Sequence, residues 1–151
     1  MKKIIGVLAI QGDFSAHIAV LNILKMKNRE IRNPAELDGI THLIIPGGES
    51  TTIRKVAQNN GLWDLLSKFS GPVMGTCMGS IMMANKITNP SGDGWGMIDI
   101  TVERNGYGRQ INSFTAEGKV DFIETPFELL FIRAPKIVKI GSDVKPIACL
   151  N

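Results

Sequence analysis

Cys77 is the residue of this chain whose surroundings most favour chemistry. It lies in Gly75-Thr76-Cys77-Met78-Gly79, after the apolar run Pro72-Val73-Met74 and before Ser80-Ile81-Met82-Met83-Ala84. This order predicts a strand, a tight turn and a helix, with the thiol held at the turn as in a nucleophile elbow. The amides at the start of the helix favour the thiolate form. A buried structural cysteine is the alternative, but the flanking glycines and the strand–helix setting favour a reactive thiol.

A second loop with possible chemistry is Pro46-Gly47-Gly48-Glu49-Ser50-Thr51, which follows another apolar run. It could be only a turn followed by a helix cap from Ser50 or Thr51. Two consecutive glycines can also direct a backbone N–H toward a ligand, as an oxyanion hole requires. The carboxyl ends of parallel strands meet at one edge of a sheet, where such folds bind ligands. We therefore predict that the N–H groups of Gly48 and Met78 face one oxyanion.

Three other groups of polar residues have open interpretations. Gln11-Gly12-Asp13 ends the first apolar run and could line the same site, meet a partner or form a plain turn. His17 and His42 are predicted on a helix face and at a strand start, neither in the usual place of a general base for Cys77. The arginines of residues 104–110 and 131–135 could be solvated charge, or they could recognise a small charged substrate. Composition alone does not decide between these two interpretations.

The elements that must position these residues alternate in the first half of the chain and become strand-rich in the second. Apolar runs predict strands over residues 4–10, 41–45 and 72–74, and helical spacing predicts helices over 17–27, 52–59, 62–68 and 78–85. A further helix start is predicted at 33–36. This alternation indicates a parallel sheet with right-handed crossovers. Short strands are predicted over residues 98–103, 111–115, 129–132 and 137–140, in an antiparallel or edge arrangement, with another beginning at 145.

Composition limits the class of protein. The chain has 151 residues, 44% hydrophobic and 21% charged, which suits one folded domain. The net charge of +3 is scattered, without a basic stripe interleaved with aromatics, so we predict no nucleic-acid partner. The apolar run at residues 4–10 is too short to span a membrane. Cys77 and Cys149 form no disulfide framework, which predicts a cytoplasmic protein. We predict no metal and no cofactor.

At these motifs the chain resembles class I glutamine amidotransferase domains, and more closely the glutaminase subunits of pyridoxal 5'-phosphate synthase. The Gly-Thr-Cys turn alone would indicate only the superfamily. The matching elements also include residues 6–12 with His17, Val102-Glu103 and Ser113-Phe114. The narrower resemblance rests on three segments together: the loop of residues 46–51, Arg104-Asn105 with Gly108-Arg109-Gln110, and Phe131-Ile132-Arg133-Ala134-Pro135. The resemblance implies a three-layer, flavodoxin-like α/β fold with a mostly parallel central sheet. Residues 1–151 would form a single glutaminase domain.

The resemblance also implies an activity. Such a subunit hydrolyses L-glutamine to L-glutamate and ammonia, and passes the ammonia to a synthase subunit that builds pyridoxal 5'-phosphate from a pentose phosphate and a triose phosphate. Matching the motifs residue by residue makes Cys77 the nucleophile. The substrate and oxyanion loop would be Gly47, Gly48 and Glu49, and the glutamine contacts would be Arg104, Ile132 and Arg133. The Gln11 loop would lie toward the synthase.

Family members complete their catalytic triad with a His-Pro-Glu segment downstream of the Phe-Ile-Arg-Ala-Pro motif. This chain ends at Asn151, before that segment, so we expect the C-terminal strand, the last helix and the catalytic His and Glu to be missing. One alternative is therefore a truncated, catalytically inactive remnant that retains partner binding. Another is a different cysteine hydrolase that uses His17 or His42 as its base.

Overall fold

The structure is a computed structural model that describes residues 3–120 and 122–149, except for the side chains of Gln110 and Cys149. The chain divides into two compact units, Met1–Met83 and Ala84–Asn151. The strand predicted to begin at Lys145 is reduced to Ala148–Cys149, and the last two residues of that prediction lie outside the described residues.

The first unit is built on a parallel sheet. Its strands are β1 (Ile5–Leu8), β2 (Asn28–Ile31), β3 (His42–Ile45) and β4 (Val73–Gly75), in the order β2-β1-β3-β4. Every neighbouring pair is parallel, which confirms the predicted α/β fold. Since the strands are parallel, the residues that follow β1, β3 and β4 emerge at one edge of the sheet.

In the part of the first unit that the structure describes, four helices accompany this sheet: α1 (Phe14–Ile23), α2 (Ser50–Asn59), α3 (Leu62–Ser67) and α4 (Met78–Met83). Helix α1 begins before the predicted residue 17, and α4 ends before the predicted residue 85. The predicted helix start at residues 33–36 is a single 3-10 turn, Pro34–Leu37. Among the described residues, no helix has the length and apolar character that crossing a membrane requires.

The core of the first unit lies between the sheet and its helices. All four residues of β1 are buried, as are Leu43, Ile44 and Ile45 of β3. Leu21 of α1 is buried against β1, and Phe14 and Ile18 pack against the same cluster. This packing fixes the start of α1, and therefore the Gln11–Asp13 loop before it, over the end of β1.

The second unit is dominated by antiparallel pairing. Its strands are β5 (Ala84–Thr88), β6 (Gly92–Asp93), β7 (Ile98–Glu103), β8 (Phe114–Val120), β9 (Ile123–Phe131), β10 (Lys136–Ile140) and β11 (Ala148–Cys149). They form two sheets, in the orders β10-β7-β5-β6 and β11-β8-β9. The pair β5–β7 is parallel, an exception to the predicted arrangement. The strand predicted at 111–115 begins only at Phe114, after a 3-10 turn at Gln110–Asn112.

An aromatic cluster closes one end of the second unit. The rings of Phe114 and Phe131 stack with centroids 4.7 Å apart, and Tyr107 lies 5.5 Å from Phe114 and 5.1 Å from Phe131. The cluster holds the loop after β7 against the start of β8 and the end of β9. The arginine motifs lie in that loop and just after β9.

Candidate active site

Cys77 occupies the strand–turn–helix position that the sequence predicts. One residue, Thr76, separates it from the end of β4; it directly precedes α4 and has an exposed side chain. Its φ of +50° is left-handed, which costs a non-glycine residue about 1–2 kcal/mol. Its carbonyl accepts hydrogen bonds from Ser80 N at 3.1 Å and Ser80 Oγ at 2.6 Å. The turn is therefore a strained, hydrogen-bonded elbow that presents the thiol to solvent.

The Gly47–Gly48 loop lies beside this thiol. A β-carbon built on Gly47 would be 3.2 Å from Cys77 Cβ and 3.8 Å from its Sγ. Any side chain at position 47 would therefore press on the Cys77 β-carbon and touch the sulfur from the side of the loop. The two loops that follow β3 and β4 meet at one edge of the sheet, as the parallel arrangement predicts.

The loop after β1 fixes the Gly47–Gly48 segment from its other side. Gln11 Oε1 accepts the N–H of Glu49 at 2.7 Å. Gly12 has φ +96°, and a β-carbon there would stand 1.8 Å from the carbonyl oxygen of Gly47. Of the three interpretations of residues 11–13, a lining of this site is the one that these contacts favour. The side-chain role of Gln11 was not predicted, since a strand end alone does not indicate which backbone group its amide will meet.

Glu49 caps helix α2 with its carboxylate. One oxygen accepts Thr51 N at 2.9 Å, and the other accepts Thr52 N and Thr52 Oγ1, both at 2.7 Å. Donation from the Thr52 hydroxyl, followed by the Thr51 and Thr52 amides, lowers the pKa of Glu49 to about 2. The cap is therefore Glu49, whereas the sequence suggested Ser50 or Thr51. The predicted contact of Glu49 with substrate stays a prediction.

The two predicted oxyanion donors are Gly48 and Met78. Met78 is the first residue of α4, and the N–H of a first helical residue has no carbonyl of its own helix to bond. Among residues 3–120 and 122–149, the Gly48 N–H has no backbone carbonyl partner. Both amides are thus available to a ligand, and their joint role stays a prediction.

The two histidines differ in their relation to Cys77. His17 Nε2 lies 3.2 Å from Thr76 Oγ1, and its Nδ1 lies 2.9 Å from the carbonyl oxygen of Asp13. The sequence placed His17 only on a helix face, and nothing in its pattern indicates a contact across 59 residues. His42 starts β3, at the opposite edge of the sheet from the Cys77 turn, and contacts Thr41 Oγ1 at 2.9 Å. Since both nitrogens of His17 already have partners and His42 is remote, this geometry does not favour either as the base.

The structure places the predicted glutamine contacts at one end of the second unit. Arg104 follows β7, and Ile132 and Arg133 follow β9. Because Lys136 of β10 is paired with Glu103 of β7, the turn before Lys136 lies at the same end as Arg104. Arg104 Nε is buried and has no hydrogen-bond partner among the described residues. Arg133 has φ +46°, a second strained residue at a predicted site position.

Comparison with known proteins identifies close relatives along nearly the whole chain. The model of the SNO glutamine amidotransferase family matches residues 7–149. A protein of Deinococcus radiodurans named pyridoxal 5'-phosphate synthase subunit PdxT is 42% identical, and the match covers 97% of this chain and 79% of that protein. The subunit of the same name from Thermosipho africanus is 44% identical, with 95% and 78% covered.

Solved structures agree with these sequence matches. A crystal structure of a glutamine amidotransferase superposes with a TM-score of 0.86 at 40% identity, covering 97% of this chain and 79% of that one. A Thermoplasma acidophilum protein, described as a putative GMP synthase subunit, has a TM-score of 0.62 at 14% identity and supports the fold alone. The chain belongs to the SNO glutamine amidotransferase family.

Proposed function

We propose that this chain is the glutaminase subunit of a pyridoxal 5'-phosphate synthase. It hydrolyses L-glutamine to L-glutamate and ammonia and supplies the ammonia to a synthase subunit. The observation that carries the proposal is the Cys77 elbow, with φ +50° and Gly47 packed beside its sulfur. The family and the names of the relatives from Deinococcus and Thermosipho support the same activity.

The proposed chemistry is acyl transfer through Cys77. The sulfur attacks the side-chain amide carbon of glutamine, and the oxyanion that forms is bound by the N–H groups of Gly48 and Met78. When the C–N bond breaks, the thiol proton leaves with the nitrogen as part of ammonia. Water then attacks the thioester, its hydroxyl joins the glutamyl group, and its proton returns to the Cys77 sulfur.

The loop that carries Gly48 is held in place before substrate arrives. Gln11 binds the N–H of Glu49, and the Glu49 carboxylate binds the first amides of α2. Because Glu49 is held at both its N–H and its carboxylate, the N–H of the adjacent Gly48 is preorganised, which is how an oxyanion donor lowers a barrier. We propose that Glu49 acts on substrate mainly by fixing this loop together with Gly47.

Arg104, Ile132 and Arg133 are proposed to contact the glutamine. A buried guanidinium nitrogen without a partner among the described residues is costly, and a ligand carboxylate would satisfy it. Arg104 is therefore the residue we assign to the α-carboxylate of glutamine. Ile132 and Arg133 lie at the same end of the second unit as Arg104, and their assignment rests on the family motif.

The partner and the location also belong to the proposal. The names of the relatives imply a second subunit that uses the ammonia, and we propose that the Gln11 loop lies toward it. A cytoplasmic location and the absence of nucleic-acid and membrane partners remain predictions from composition.

The direct test is ammonia and glutamate release from L-glutamine, with and without the synthase subunit. We expect release that needs the synthase, that Cys77→Ala abolishes, and that Cys149→Ala leaves intact, since Cys149 is the matched control thiol. Unchanged release by Cys77→Ala would refute the assigned nucleophile. If the chain binds the synthase but releases no ammonia, the result would favour an inactive partner-binding form, which nothing in the comparisons supports at present.

A further inference from the structure

We infer that His17 is a positioning residue that fixes the Cys77 elbow through the hydroxyl of Thr76. The inference rests on the proposed function, because it takes Cys77 as the nucleophile. It assigns a role to a histidine that the hydrolysis steps above do not use.

The hydrogen bonds of the His17 ring define its orientation. Nδ1 lies 2.9 Å from the carbonyl oxygen of Asp13, which can only accept, so Nδ1 carries a proton. In the neutral ring, Nε2 then has a lone pair and accepts the Thr76 hydroxyl proton across 3.2 Å. His17 therefore connects the start of α1 to the residue before the nucleophile.

Thr76 is held at three points. Its N–H donates to the Ile45 carbonyl at 3.1 Å, at the end of β3, and its carbonyl accepts Gly79 N at 2.8 Å. The contact with His17 is the third point, and the Thr76 side chain makes it. Residues in sparsely populated backbone conformations persist when their surroundings over-determine them, and Cys77 directly follows Thr76 with φ +50°.

Both ring nitrogens of His17 are used in this arrangement, which distinguishes positioning from base catalysis. A general base would need a free nitrogen facing the thiol or the substrate. Here Nδ1 is bound to Asp13 and Nε2 to Thr76, so His17 acts on Cys77 only through the Thr76 side chain.

The test is a double-mutant cycle in the complex with the synthase. Thr76→Val removes the hydroxyl at similar volume, and His17→Leu removes the acceptor. We expect each to lower kcat about three- to tenfold, the effect of one hydrogen bond, with KM changed less than about twofold. The double variant should be no slower than the slower single variant, because both changes remove the same bond.

Conservative variants separate this role from general destabilisation. Thr76→Ser keeps the hydroxyl and should be faster than Thr76→Val, and His17→Gln keeps an acceptor near the Nε2 position and should be faster than His17→Leu. His42→Gln changes the other histidine, at the far edge of the sheet, and is the matched control. Additive losses in the double variant, or full activity in Thr76→Val, would overturn the inference. If the His17 variants do not fold, the Thr76 pair decides alone.

A second readout does not depend on turnover. The alkylation rate of Cys77 by iodoacetamide reports the elbow itself, and the two single variants should change it by equal factors, without further change in the double variant. If the natural chain releases no ammonia, the proposed function fails. The double-mutant cycle measured by alkylation would still support or refute the role of the hydrogen bond between His17 and Thr76. Unequal or additive changes in alkylation would refute it.

Discussion

Replacing Gly12 with alanine should displace the proposed oxyanion loop, Gly47 to Glu49, while the Cys77 side chain itself is left unmutated. The new β-carbon would stand 1.8 Å from the Gly47 carbonyl oxygen, whereas real β-carbons essentially never approach closer than 3.0 Å. The two groups must therefore separate by at least 1.2 Å, the difference between these distances. Because Gly47 packs against Cys77, much of that movement reaches the reacting sulfur. A displacement of about 1 Å can cost about a hundredfold in rate, which is the loss of kcat we expect.

Gly39→Ala is the control for backbone strain. Gly39 has φ +70°, so alanine there also meets a left-handed penalty, as it does at Gly12, where φ is +96°. That penalty is about 1–2 kcal/mol in the folded chain, and the lower entropy of the unfolded chain offsets about 0.4–1 kcal/mol of it. Apart from its chain neighbours, no described residue lies within 4 Å of the added carbon at Gly39. Gly39→Ala should therefore lose little stability and keep its kcat.

The assay is steady-state ammonia release by both variants in complex with the synthase, with urea unfolding measured in parallel. We expect Gly12→Ala to be far slower and also less stable than Gly39→Ala, since the steric term is added to the strain. Equal kcat values for the two variants would refute the conclusion that the Gln11–Gly12 loop fixes the position of Gly47.

Three further predictions concern substrate binding, acid stability and the core. Arg104→Gln should raise KM for glutamine about tenfold to a hundredfold, the effect of losing a charged hydrogen bond to a carboxylate; an unchanged KM would contradict the assignment of Arg104. The pKa of Glu49 is lowered from 4.5 to about 2, so the hydrogen bonds that its carboxylate accepts stabilise the fold fully above pH 4.5. This stabilisation is lost as the pH falls through about 2. The stability advantage of the natural chain over Glu49→Gln in urea unfolding should shrink across that interval, and an advantage independent of pH would refute the cap. Leu66→Ala, at a side chain with 0% exposure, should lower the free energy of unfolding by about 2–5 kcal/mol, whereas Leu65→Ala, at 46% exposure, should cost less than about 1 kcal/mol.

The parallel sheet and the Cys77 elbow were predictable because their signals are local. Strands β1, β3 and β4 are short apolar runs followed by turn residues, and the glycines around Cys77 mark a strand–helix turn. Strand β2 has the sequence Asn-Arg-Glu-Ile, and Ile31 is its one buried residue. It therefore has no apolar run from which the sequence could predict a strand. It pairs with β1 because backbone hydrogen bonding at a sheet edge needs little side-chain burial.

Several features of the site depend on contacts between distant residues, which a single sequence does not encode as a pattern. The helix predicted to reach residue 85 ends at Met83, because Ala84 begins a strand that pairs with β7. The contact of His17 with Thr76 arises only when α1 packs over the parallel sheet. Likewise, Glu49, Ser50 and Thr51 can each cap the start of α2, and local composition alone does not favour one of the three.

A glutamine-binding nucleophile at Cys77 can be tested by covalent labelling with the glutamine analogue 6-diazo-5-oxo-L-norleucine, with the modified residue located by peptide mass spectrometry. We predict that the label attaches to Cys77, that L-glutamine slows labelling, and that Arg104→Gln weakens this protection. Labelling of Cys149 to the same extent, or labelling of Cys77 that glutamine does not slow, would contradict a glutamine-binding nucleophile at this elbow.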